Sequence, residues 1–155
     1  MIKETYIRDK RSPKPKNEIV SKTMSKNKGT NTKPEIKVRK ILWHNGFKGY
    51  RISPKDLPGK PDICYVGKKI AIFINGCFWH RCPTCNLKLP KNNTAFWENK
   101  FLKNVERDGR KIKDLELLGF KVITVWECEL KKDKFENTLK NLIEEVRKSC
   151  SPNNL

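Results

Sequence analysis

Three cysteines fall close together in a Cys-x4-Cys-x2-Cys spacing, Cys77, Cys82 and Cys85, and Cys128 follows an apolar run further on. Thiolate is a soft donor, and zinc takes four such ligands as a tetrahedron because its filled d shell imposes no other geometry. Four protein ligands leave no open position, so a site of this kind is structural. It would tie an irregular loop to the end of a core strand and contribute on the order of 10 kcal/mol to folding. His80, three residues from Cys77, is a competing ligand, and the plain alternative is that these cysteines are simply buried. Cys64 sits inside an apolar run and reads as core. Cys150 has no role that its surroundings assign.

Asp62, preceded by Pro61, stands where a loop enters a strand. A carboxylate there can hold a hard cation such as Mg²⁺ at a cleft edge, although a lone Pro-Asp pair is usually only a turn. The following strand delivers Phe73, Ile74 and Asn75 beside it, and then Gly76-Cys77-Phe78-Trp79-His80. His44 and His80 are the only histidines. His44 ends a helix, whereas His80 lies near the acid, where a neutral imidazole can take a proton from an attacking water near neutral pH. A zinc ligand or a group just behind the zinc is an equal reading of His80 from the residues alone. Phe78 and Trp79 cannot both enter one core from a regular strand, and Trp97 opens the next helix. In a strongly basic chain such rings can act as wedges between base pairs, with ordinary core packing as the alternative. Lys100, Lys103, Asn104, Arg107 and Arg110 recur at spacings that put them on roughly one helical face. That face suits a major groove, or else a solvated surface with ion pairs to Glu106 and Asp108.

The elements that would position these residues follow from periodicity. Thr32-Lys33-Pro34-Glu35 has the form of a capping box with proline in the first turn. A helix carrying Ile36, Val38, Ile41 and Leu42 should follow and stop near Gly46. Phe47 to Ile52 reads as a short strand and Ser53 to Pro61 as a loop. Ile63–Val66 and Ile70–Ile74, separated by Gly67-Lys68, read as a β-hairpin. Gly76 to Pro90 should be irregular. A long helix is expected from Thr94 to Leu118 with Trp97, Phe101, Val105, Ile112 and Leu115 inward. A buried strand should span Phe120–Trp126, and a last helix Asp133 to Lys148, with Phe135, Leu139, Leu142 and Val146 on one face. The order implies an α/β fold, a mixed central sheet flanked by helices.

The chain has 155 residues, 36% of them apolar, which suffices for one domain. Residues 1–30 form a basic arm expected to be disordered without a partner, residues 31–150 a single domain, and residues 151–155 a tail. Lys and Arg number 35 against 17 Asp and Glu, a formal net charge of +18. That excess points to a polyanion, since each cation paired with a phosphate releases a counterion. No run approaches a spanning helix, and no export signal precedes the domain. A soluble, cytoplasmic protein is expected, with its cysteines reduced and available to metal.

Taken together these strings resemble the bacterial very short patch repair endonucleases. The resemblance is carried by Leu57-Pro58-Gly59-Lys60-Pro61-Asp62, Gly76-Cys77-Phe78-Trp79-His80, Phe96-Trp97, Lys103-Asn104-Val105-Glu106-Arg107-Asp108 and Val125-Trp126-Glu127-Cys128. They occur in the family's order and spacing from about Ser21 to Leu130. The resemblance implies a restriction-endonuclease-like fold with a structural zinc site, and Mg²⁺-dependent nicking of one strand 5′ to the thymine of a T·G mispair. Such mispairs arise when 5-methylcytosine deaminates. By position, Asp62 and the Ile74 carbonyl would bind Mg²⁺, His80 would be the general base, and Glu35 would assist through the metal's water shell. Phe78, Trp79 and Trp97 would intercalate, and Met24 would enter from the other groove. Lys100 and Asn104 match base-reading positions, with Lys103 beside them. Cys77, Cys82 and Cys128 match zinc-ligand positions, and Cys85 completes an all-cysteine set. The implied partners are mispaired duplex DNA, repair proteins and a cytosine-5 methyltransferase system. A monomer associated with the nucleoid is expected.

The chain departs from the family's pattern in three places. Ile74 stands where a threonine is usual, and Asn75 replaces a histidine, which removes a catalytic hydrogen-bonding group or second base. Cys82 replaces a histidine at the zinc, with Cys85 displaced by one residue. The loss at Asn75 motivates a non-catalytic zinc-stabilised mismatch-binding module as one rival reading. A sequence-specific restriction nickase of the same fold is another.

Overall fold

The computed structural model describes residues 14–27 and 29–150. The first part of the arm, residues 1–13, and the tail at residues 151–155 lie outside the described residues. Within the arm lies a helix, α1 (Glu18–Ser25). Asn17 starts it, its Oδ1 accepting from Val20 N at 2.9 Å, and none of its residues is buried. A local cap, rather than an apolar stripe, defines this element.

The Thr32 cap forms as read. Its Oγ1 accepts from Glu35 N at 3.4 Å and opens α2 (Lys33–His44), which buries Val38 and Leu42. Phe47–Ile52 is not a strand. Only Arg51 pairs, as an isolated bridge with Cys64. Gly46 and Gly49 hold left-handed backbone on either side of Phe47, and the Phe47 carbonyl is taken by Tyr65 Oη at 2.7 Å. The segment instead packs Phe47 and Tyr50 against the core.

The hairpin is present as β1 (Ile63–Tyr65) and β2 (Ile70–Asn75), antiparallel, with Ile63 opposite Ile72. After β2 the chain makes one helical turn, α3 (Cys77–His80), where an irregular loop was expected. His80 N closes it on Gly76 O at 3.2 Å. The long helix α4 (Thr94–Leu117) then returns the chain to β3 (Lys121–Trp126), which pairs parallel to β2 with Ile70 opposite Lys121. The last helix is α5 (Phe135–Cys150). Strand order is β1-β2-β3, a mixed sheet with β2 in the middle. A parallel pair needs this kind of long crossover. β3 is only partly buried, not the buried strand expected, because it stands at the sheet edge and only Val125 is fully covered.

Side-chain alternation divides the core. Ile63, Tyr65, Ile70, Ile72 and Ile74 face one way, with Val38 and Leu42 of α2 and Leu142 and Val146 of α5. Cys64, Ala71 and Phe73 face the other way, toward Leu115 of α4 and Phe120. Cys150 packs against the first cluster. The inward face of α4 differs from expectation: Val105 is 48% exposed, whereas Asn104 is 8% exposed. Among the described residues no helix is long and apolar enough to cross a membrane.

The loop before β1 depends on a glycine. Gly59 has φ 72, and a Cβ there would stand 2.7 Å from Lys111 Cγ. Gly59→Ala should therefore lower stability by about 1–2 kcal/mol, the cost of a left-handed alanine. Urea unfolding would measure it, and an unchanged midpoint would count against this turn.

Candidate active site

The loop and the end of β2 bring Asp62 against the sheet. Pro61 is fully buried, which fixes the entry into β1. Asp62 Oδ2 accepts from Ile74 N at 2.7 Å. β1 pairs only from Ile63 onward, so the carboxylate takes the place of a ladder partner. Its Oδ1 has no hydrogen-bond partner among the described residues. Burial pushes the Asp62 carboxyl up to about 6. The Ile74 N–H opposes that shift, the Glu35 charge adds to it, and His80 and Arg39 counter it. A carboxyl held this way gains from a cation at its open oxygen.

Glu35, at the start of α2, is 4% exposed. Its carboxylate accepts from Asn31 N at 2.8 Å, Thr32 Oγ1 at 3.0 Å and Arg39 Nη2 at 3.2 Å.

His80 ends α3, and its Nδ1 lies 2.5 Å from Asp108 Oδ2. Lys111 Nζ stands 3.7 Å from the other Asp108 oxygen. Burial works against the Asp108 charge, but the His80 hydrogen bond, with Lys111 and Arg107, holds its carboxyl below the usual range. A carboxylate on Nδ1 favours the tautomer protonated there, with Nε2 as the acceptor. Asp108 was read only as a surface counter-charge. The signal for it was present: it lies seven residues from both Phe101 and Leu115, on the inward face of α4.

The aromatic residues form one group. Phe78 and Trp79 are both partly exposed on α3, with ring centroids 5.2 Å apart. Trp97 lies beneath, 5.7 Å from Phe78 and 5.8 Å from Trp79, and is 9% exposed. Lys100 Nζ sits 5.5 Å from the Trp79 ring centre. A cleft of about 840 Å³ separates these rings from Val20 and Met24 of α1. Lys103 is exposed. Asn104 is not free on the surface as expected. Its Nδ2 donates to Trp79 O at 3.0 Å, and its Oδ1 accepts from Arg107 at 2.7 Å. It therefore braces the aromatic turn, and Arg107 is the exposed end of that pair. Asn75 ends β2 opposite Trp126, and Ile74 lies opposite Val125 with its side chain in the core.

The sulfurs of Cys77, Cys82, Cys85 and Cys128 all lie within 4.8 Å of one another. Cys82 Sγ is 3.7 Å from Cys128 Sγ, close to the ~3.8 Å edge of a tetrahedron with zinc–sulfur bonds of about 2.3 Å. All are free thiols. Burial pushes Cys77 up to about 12. Burial also acts on Cys82, but hydrogen bonds from Thr84 outweigh it and bring that thiol down to about 6. Such unequal thiols become four thiolates only with a cation between them. The donor set fits zinc, and His80 is outside it. Among the described residues this is the one cluster of three or more such donors. Asp62, Glu35 and His80 do not form a closed ligand set, which suits a cation held by one carboxylate and a substrate phosphate.

The sequence is similar to known proteins over most of its length. The family described as DNA mismatch endonuclease Vsr matches residues 14–86. The type II nicking enzyme V.NmeAIP of Neisseria meningitidis serogroup A is 48% identical over 118 residues, 75% of this chain and 83% of that protein. DNA mismatch endonuclease Vsr of Escherichia coli K12 is 39% identical over 111 residues, 72% of this chain and 70% of that protein. The type II nicking enzyme V.XorIIP of Xanthomonas oryzae pv. oryzae is 36% identical over 137 residues, 88% and 97% of the two chains.

Proposed function

The chain belongs to the DNA mismatch endonuclease Vsr family, DNA endonucleases with a restriction-endonuclease-like fold, and on that premise we propose that it nicks one strand 5′ to the thymine of a T·G mispair. The observation that carries this reading is the combination on α3. His80 is oriented by Asp108 with its Nε2 free, one residue from a half-exposed wedge and within electrostatic reach of Asp62. His80 takes the proton of the attacking water, and Asp108 stabilises the imidazolium that forms. Asp62 and the Ile74 carbonyl would hold Mg²⁺, which would supply positive charge to the phosphate and the leaving oxygen. Glu35 adds a second carboxylate close enough to act on the Asp62 charge. Asn75, at the strand end, is the remaining polar side chain at the site.

Phe78 and Trp79 enter the stack beside the mispair, with Trp97 as the floor on which they rest and Met24 approaching across the cleft. Unstacking costs a few kcal/mol per step and less at a mispair, which makes the wedge selective. Lys100 and Lys103 face the duplex, and Asn104 acts through the turn it braces. The zinc is structural. Substrates of this kind come from deaminated 5-methylcytosine, so a cytosine-5 methyltransferase and gap-filling repair proteins are the natural partners. The chain acts as a monomer.

One experiment tests the proposal: incubate end-labelled T·G and matched C·G duplexes with the protein and Mg²⁺, and map any nick. A nick 5′ to the mispaired thymine is expected. Equal nicking of both duplexes would instead favour a sequence-specific nickase, a reading that the type II nicking enzymes among the relatives keep in view. Binding without any nick would leave a mismatch-binding module. A second measurement isolates the wedge. Phe78→Ala with Trp79→Ala should bring the preference for T·G over matched duplex close to unity. Retention of the full preference would remove the wedge from the mechanism.

A further inference from the structure

Glu35 is held more tightly than a helix cap requires. A cap is satisfied by one hydrogen bond from the side chain at its start, and Thr32 supplies it. The Glu35 carboxylate in addition accepts from Arg39 Nη2, and the same Nη2 donates to Asn31 Oδ1 at 2.9 Å. Asn31 N also donates to Glu35, which closes a ring of three residues. The Arg39 side chain is only 12% exposed, and its Nε is buried with no partner among the described residues. Burying a guanidinium with one N–H unpaired is costly, and a surface salt bridge would avoid that cost. Asn31 sits in left-handed backbone, φ 55, two residues before α2, at the junction with the arm that carries α1. On its other side Glu35 acts electrostatically on Asp62, and so does Arg39.

We propose that Arg39 is a positioning residue for nicking: its guanidinium locks the Glu35 carboxylate to the Asn31 joint, so that the placement of the arm and the placement of the acidic pair are set together. This rests on the reading of Asp62 and Glu35 given above. A lysine carries the charge and can also donate twice from one nitrogen, but it lacks the rigid guanidinium plane that holds Nη2 between the two acceptors.

The test uses the full chain, a labelled T·G duplex and Mg²⁺ under single-turnover conditions. Arg39→Met should slow nicking by ~10–100-fold, the usual effect of removing a group behind the ligands, and raise the Mg²⁺ concentration needed for half-maximal rate. Arg39→Lys should recover part of both losses. Arg39→Met in a Glu35→Gln background should add little, because the two act as a unit. Asn31→Gly keeps the left-handed backbone and removes only the side-chain acceptor. It should slow nicking a few-fold and weaken metal-free binding to the same duplex. Melting curves establish that each variant is folded. A folded Arg39→Met with wild-type rate and Mg²⁺ dependence would overturn the proposal alone, as would losses from Arg39→Met and Glu35→Gln that multiply. Should Arg39→Met fail to fold, an indifferent Asn31→Gly would overturn it. A wild-type chain that nicks no duplex would overturn this proposal together with the reading beneath it.

Discussion

Asp62→Asn is expected to reduce nicking by at least about 10³-fold, equivalent to about 4 kcal/mol of transition-state stabilisation, while making the metal-free protein more stable above pH 6. The two effects share one cause. Burial lifts the Asp62 carboxyl to about 6 from its ordinary value of 3.8. Between those values the folded chain holds a proton that the unfolded chain has lost. Stability from this group is therefore complete below the lower value and is lost as pH rises through the upper one. At pH 8 the buried charge costs on the order of 3 kcal/mol. Asparagine keeps an oxygen for the Ile74 N–H but carries no charge, so it escapes that cost and cannot hold the cation. Thermal melts without added Mg²⁺, the zinc left in place, should put the variant several degrees above wild type at pH 8 and level with it at pH 4. Added Mg²⁺ should raise the wild-type melting temperature at pH 8 and leave the variant unmoved. A variant that melts below wild type at pH 8, or that nicks at more than a hundredth of its rate, would contradict the role given to Asp62.

Apolar periodicity located most of the frame. The Ile63 and Ile70 runs pair as a hairpin, α4 and α5 lie within two residues of expectation, and Thr32-x-x-Glu35 starts α2. These features are written in side-chain type at fixed spacing. The misreadings share a different origin. Phe47–Ile52 has strand-like residues, but two left-handed glycines and a carbonyl claimed by Tyr65 leave only Arg51 for pairing. Val105 was read as inward because it is apolar, yet the inward position beside it belongs to Asn104. At a functional site the buried face of a helix turns polar, and hydrophobic patterning does not register that change. Asp108 and Arg39 were hidden for the same reason. His80 meets Asp108 only when α3 packs on α4, whereas Arg39 reaches Glu35 and Asn31 within α2 and its cap, and only its burial went unregistered. The cysteine cluster was more legible, because ligand type and spacing carry the chemistry without the fold.

Removal of the zinc should have the second large effect, and the length of α3 explains why. Cys77–His80 is a single helical turn. Nucleating one turn is unfavourable by itself, because several dihedrals are fixed for one hydrogen bond. Cys77 opens this turn, Cys82 follows it, Cys85 lies in the next loop, and Cys128 belongs to the bend after β3. A cation among the four sulfurs therefore clamps both sides of the residues that carry Phe78, Trp79 and His80, and ties them to the edge strand. Besides ring packing on Trp97 and Phe101, α4 restrains the turn through Asn104 on Trp79 O and Asp108 on His80, each about a kcal/mol or somewhat more. The protein as purified should contain one zinc per chain. Its extraction with a thiol-selective reagent and chelator, or Cys82→Ala, should lower the melting temperature by more than 10 °C, the loss of several kcal/mol in a domain of this size. It should also abolish mismatch-directed nicking even with Mg²⁺ in excess, because wedge and base lose their common support. A zinc-free chain with native melting behaviour would show instead that packing against Trp97 and Phe101 alone holds the turn, and the cysteines would then be four buried thiols without a structural task.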